Sequence, residues 1–159
     1  MKNVGKFLQG TKEYVITNMM PKRRLYNYLW NEEIFSKVDQ FCCGETLAGF
    51  GSTRREFSGD ERFVYIKDLK DGSFYSPNRN FCNEPFDVFE CIVGIGYQKV
   101  ISEYKGIRTE YCMTIPSQDK AEIIQISLEN KTNEIKRLHV YTYNAVKANT
   151  SNHIAYGHS

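Results

Sequence analysis

In Glu122-Ile123-Ile124-Gln125-Ile126-Ser127-Leu128-Glu129, the apolar residues Ile124, Ile126 and Leu128 alternate with Gln125, Ser127 and Glu129. A period of two with β-branched residues on the apolar side is the pattern of a half-buried strand. Asn130-Lys131-Thr132-Asn133-Glu134 follows with turn chemistry, and Leu138 and Val140 resume the alternation. Upstream, Tyr97 to Tyr104 and Ile107 to Ile115 flank Lys105-Gly106, the signature of a tight hairpin. Four consecutive strands joined by short turns predict an antiparallel meander, led in by Asp87 to Ile92, with Gly94 and Gly96 placed for a bulge or kink.

Outward from this block the signals thin. Phe63 to Lys67 is a strand, Asp68 to Gly72 a turn, and Ser73-Phe74-Tyr75 a short return stopped by Pro77. Asn78 to Pro85 is a polar connection, and Glu13 to Thr17 a short β-prone run. Leu25 to Phe35 is rich in aromatics without a clean period. It fits either an irregular segment or a short helical turn capped by Asn31. Phe41 to Phe57, with Gly44, Gly49 and Gly51, reads as loop or bent strand without the register of a phosphate-binding loop. The whole is an all-β, antiparallel β-sandwich occupying residues 1–159 as one domain or the N-terminal part of one.

A length of 159 residues is enough to bury a core in one domain, and aromatics at 14% favour strands over helices. The net charge of +2 gives no basis for nucleic-acid binding, so Lys22-Arg23-Arg24 and Arg54-Arg55 read as solvated surface. Neither a secretory leader nor an apolar run long enough to cross a bilayer is expected, which places the protein in the cytoplasm without membrane contact. Five cysteines without a Cys-x-x-Cys pair read as reduced and buried, and no metal site is expected.

The chemistry of the chain is sparse. There is no Gly-x-Ser-x-Gly elbow, and His139 falls on the outward face of its strand with Tyr141 and Tyr143. That face suits a sugar-stacking platform or a surface covered by another sheet or domain. No catalytic residue is assigned within the chain.

The order of its short motifs resembles glycoside hydrolase family 94, the cellobiose and chitobiose phosphorylases. Gly5-x-Phe7, Glu13 to Thr17 and Asn27-Tyr28-Leu29 come first; Tyr65-Ile66-Lys67-Asp68, Asp71-Gly72 and Ser76-Pro77 follow. Glu90-Cys91, Gly94-Ile95-Gly96-Tyr97, Gly106-Ile107, Pro116, Glu122-Ile123 and Asn130-Lys131-Thr132 complete the series over almost the whole chain. The resemblance implies an incomplete, mutarotase-like supersandwich, the non-catalytic N-terminal domain of an enzyme whose helical barrel is absent here. The parent would cleave a β-linked disaccharide with inorganic phosphate as co-substrate, inverting the anomeric carbon and needing no other cofactor. It implies contact with downstream domains or a second subunit in a homodimer. It also implies that a loop beyond the last strand approaches the sugar site, with Thr150, Ser151, Asn152 and His153 as rim candidates. A stand-alone carbohydrate-binding sandwich or an interaction module is the alternative. The chain departs from the family pattern at Arg24-Leu25 (Pro-Trp in the family), Trp30 (Gly), Cys43 to Leu47 (Gly-Gly-Tyr-Ser-Phe), Tyr75 (Trp) and Val93 (His).

Overall fold

The computed structural model describes residues 4–49, 55–78, 82 and 85–146. Among these residues twelve strands run in order β1 (Gly5–Phe7), β2 (Tyr14–Ile16), β3 (Tyr26–Trp30), β4 (Ile34–Asp39), β5 (Gly44–Ala48) and β6 (Arg55–Asp68). They continue with β7 (Phe74–Tyr75), β8 (Val88–Gly94), β9 (Tyr97–Tyr104), β10 (Ile107–Thr114), β11 (Ile123–Asn130) and β12 (Leu138–Val146). Every pairing is antiparallel. Sheet A has the order β1-β2-β8-β9-β10-β11 and sheet B the order β12-β6-β5-β4-β3, with β7 added beside β6. The all-β sandwich expected from the alternation is the observed fold.

Both two-residue turns of the meander have their backbone logic in the sequence. Lys105 (φ 49°) and Gly106 (φ 75°) are both left-handed, the combination that matches the twist of a two-residue hairpin. At the β8–β9 turn Gly96 has φ 80°, while Gly94 lies opposite Tyr97 and lets its ring pack onto the strand. No bulge is needed at Gly94, because the β8–β9 register runs unbroken to Gly94↔Tyr97.

Inward side chains of the two sheets meet in one core that includes Leu29, Ile34, Val38, Val64, Ile66, Val100, Ile107, Tyr111 and Met113. Each such aliphatic side chain contributes about 1.5–3 kcal/mol by leaving water. The two outer faces differ. Sheet A presents a solvated face with ion pairs such as Lys99–Glu110 (3.3 Å), whereas sheet B presents Tyr26, Tyr28, Trp30, Tyr141 and Tyr143 to solvent.

Two expectations need correction. The segment Leu25 to Phe35 is neither irregular nor helical: it is most of the β3–β4 hairpin, and Asn31 closes its turn by accepting from the backbone N–H of Glu33 (2.9 Å) and Ile34 (2.8 Å). Within Phe41 to Phe57 the bent-strand alternative holds: β5 is bent by a register shift between Thr46 and Leu47 against β6. The fourth strand of the expected meander also leaves it. β12 crosses to sheet B and pairs with β6, from Leu138↔Asp68 to Val146↔Ser58. Alternation specifies which side of a strand is buried, and carries no information on which sheet receives it.

Candidate functional site

The two sheets part company along one side. β11 ends sheet A and β12 ends sheet B, and between them opens a cleft of about 470 Å³ walled by Phe57, Ile124, Ile126, Thr142, Asn144 and Val146. Ile124, Ile126 and Leu128 do share an inward face, but they are only partly covered, and Leu128 remains 38% exposed. An end strand has a neighbour on one side only, so its core-facing residues lack half their cover.

Behind Glu122, which lines the cleft, lies a buried polar cluster. Arg62, on β6, is fully buried, and its guanidinium reaches the Glu122 carboxylate at 3.1 Å, Thr46 Oγ1 at 3.0 Å and the Gly44 carbonyl. Glu122 also accepts from Thr46 Oγ1 at 2.6 Å, and Thr46 Oγ1 lies 2.6 Å from Ser36 Oγ. One charge pair and two hydroxyls thus tie sheet B to the entrance of β11. Glu122 is committed to these two donors. Two buried polar atoms nearby, Arg62 Nε and Tyr111 Oη, have no hydrogen-bond partner.

A second buried polar device completes sheet B. Between β7 and β5 one stretch of β6 has no neighbouring strand among the described residues, and Asn78 fills it. Its Nδ2 donates to the Arg62 carbonyl at 2.8 Å and its Oδ1 accepts from Val64 N–H at 3.5 Å. Ser76 Oγ donates to the same Oδ1 at 2.8 Å and fixes the amide.

Nucleophilic chemistry finds little support among the described residues. None of the five cysteines forms a disulfide, and Cys112 is only partly buried. Burial pushes the thiols of Cys42 well above, and Cys91 to about 12, so neither is a thiolate near neutral pH. His139 is exposed with its ring 3.2 Å from the Tyr141 hydroxyl. It shares the outer face of sheet B with Tyr141 and Tyr143, as alternation predicts, and Tyr143 stacks on Phe63 at 5.9 Å between centroids. No group of three or more His, Cys, Asp or Glu placed for a metal ion occurs among the described residues. Nor is any helix there long and apolar enough to cross a membrane. The rim candidates Thr150, Ser151, Asn152 and His153 lie outside the described residues. The chain leaves the described region at Val146, which itself lines the cleft.

Sequence reasoning missed the Arg62–Glu122 pair and Asn78. Arg62 carried one usable signal: it lies on a long strand two residues before Val64 and four before Ile66, hence on the inward face.

Comparison with known proteins decides what this architecture belongs to. The supersandwich domain of glycosyl hydrolase 94 matches residues 12–153. The chain belongs to glycosyl hydrolase family 94. Within family 94 it is similar to the solabiose phosphorylase of Paenibacillus borealis, 28% identical over 153 residues, covering 90% of this chain and 20% of the relative. The 3-O-beta-D-glucopyranosyl-beta-D-glucuronide phosphorylase of the same organism is 28% identical over 138 residues, with coverage of 87% and 18%. Cellobionic acid phosphorylase from Neurospora crassa is 26% identical over 153 residues, with coverage of 83% and 19%. The chain therefore spans about a fifth of the length of these curated relatives, the part occupied by the supersandwich.

Proposed function

We propose that the protein serves as the non-catalytic supersandwich of a disaccharide phosphorylase, with its open side seated against the rest of the enzyme. The observation that carries this reading is the cleft between β11 and β12: the apolar side chains Phe57, Ile124, Ile126 and Val146 are left only partly covered at the edges of two sheets, in a chain one-fifth the length of its relatives. Exposed apolar surface of this kind marks an interaction site. The reaction is phosphorolysis of a β-linked disaccharide with inorganic phosphate, and the acid that protonates the glycosidic oxygen belongs to another domain. Thr150, Ser151, Asn152 and His153, following β12, approach the sugar from the rim. The assembled enzyme is cytoplasmic and homodimeric in this reading.

The test is a chimera in which this chain replaces the matching region of the solabiose phosphorylase. Phosphate-dependent release of sugar phosphate by the chimera, and none by the chain alone, is the expected result. His153→Ala should lower kcat/KM of the chimera without lowering its melting temperature. Turnover of a disaccharide by the isolated chain overturns the proposal, as does a soluble, folded chimera with no activity.

A further inference from the structure

We infer that the outer face of sheet B along β3 is a binding platform for an extended chain of pyranose sugars with equatorial hydroxyls. It is separate from the cleft, on a different face of the sandwich, and does not rest on the phosphorylase reading. Tyr26, Tyr28 and Trp30 occupy alternate positions of β3, so all three rings stand on the same side of an end strand. They are 45%, 53% and 66% exposed, which makes a row of three accessible rings where sheet A's outer face carries ion pairs. Alternate residues of a strand are about 6.7 Å apart, in a straight line.

The ladder is braced from the side by neighbours on β4 that share the same outer face. Phe35 packs on Tyr28 with ring centroids 5.5 Å apart, and Lys37 sets its ammonium 4.4 Å from the centre of the Tyr26 ring. Rings already fixed lose little freedom when something settles on them. At its Tyr26 end the ladder runs into a groove of about 450 Å³ lined by Arg24, Lys37, Glu45, Glu56, Asp60 and Glu61.

The chemistry of that combination selects the occupant. The face of an aromatic ring is electron-rich and attracts the slightly positive C–H face of an all-equatorial sugar. Carboxylate and guanidinium groups have the paired acceptors and donors that match neighbouring hydroxyls two at a time. A protein partner fits less well, because the cores of protein interfaces are depleted in charged residues, while this groove is lined mainly by them. A straight ladder suits a straight glycan; a coiled α-linked glucan would touch one ring and leave the others.

Trp30 is the single tryptophan of the chain, so its fluorescence reports on this face alone. Titration of the 159-residue chain with cellotetraose, with maltotetraose as the coiled control, is the decisive measurement. The expected result is a saturable change in Trp30 emission with cellotetraose near or below about 1 mM, and none with maltotetraose. Tyr28→Ala should weaken binding at least about tenfold, as loss of a central aromatic contact does. Tyr141→Ala, on the far edge of the same sheet, should leave it unchanged, and circular dichroism should show both variants folded. No saturable signal, equal response to the two sugars, or loss of binding with Tyr141→Ala instead of Tyr28→Ala each overturns the inference. So does a Trp30 shift that follows protein concentration in the absence of sugar, since that would make the ladder a contact between copies.

Discussion

Arg62 is the residue on which the interior depends most. Removing the buried guanidinium takes from Glu122 its charged partner and from Thr46 and the Gly44 carbonyl one donor, and breaking a buried pair this way costs about 3–5 kcal/mol. Against a total of about 5–15 kcal/mol for a domain, Arg62→Met should unfold a large fraction of the protein or shift its urea midpoint sharply. The double variant Arg62→Met with Glu122→Leu should recover much of the loss, because it removes both charges together. A double variant no more stable than Arg62→Met alone would show that the pair does something other than neutralise itself. Asp39 makes a contrasting case. Burial raises its carboxyl pKa above the ordinary 3.8, although the N–H groups of Phe41 and Cys43 and the charge of Arg24 pull the other way. A carboxyl whose folded pKa is raised holds more protons than the unfolded chain in the window between 3.8 and its folded value. Its contribution to stability therefore falls as pH rises through that window and stays unfavourable above it. Asp39→Asn keeps an oxygen for the two N–H groups, so the pH slope of stability from unfolding curves should lose this component while the fold is retained.

At the scale of elements, turn chemistry and alternation were the legible parts of the sequence. Lys105-Gly106 was readable as a hairpin because only a glycine-bearing pair comfortably takes two left-handed residues. Gly106→Ala should cost about 1–2 kcal/mol, both from φ 75° and because the new methyl would sit 2.5 Å from Thr132 Cγ2. A thermal melt unchanged by this substitution would show that the turn relaxes freely. The β3–β4 hairpin escaped detection for the opposite reason. Tyr26, Tyr28 and Trp30 point outward and Leu29 inward, so aromatic side chains occupy the face where alternation expects polar ones. The feature that hid the strand is the same one that makes its surface unusual. β12 was legible as a strand and misplaced as a neighbour, since its partner β6 lies far back in the chain, from Leu138↔Asp68 to Val146↔Ser58. The rim candidates drew on resemblance alone, with no pattern in Thr150 to His153 to fix a conformation.

For the molecule as a whole, two unfinished edges on one side set its solution behaviour. The row of unpaired backbone groups on an end strand is a template for a second chain, and the apolar cleft adds a driving force. Sedimentation of the isolated protein should show mass rising with concentration. Val146→Lys, a change at a 61% exposed position beside the cleft, should suppress that rise with a stability change within about 0.5 kcal/mol. A mass that stays monomeric at all concentrations would mean that the edges are protected in some other way. The opposite extreme of the molecule is β6, fourteen residues long and flanked by β12 on one side and by β5, Asn78 and β7 on the other. Such a strand is released only when its neighbours on both sides let go. In deuterated solvent its central amides, around Val64 and Ile66, should be the last to pick up the isotope, and the outward-facing amides of β12 among the first.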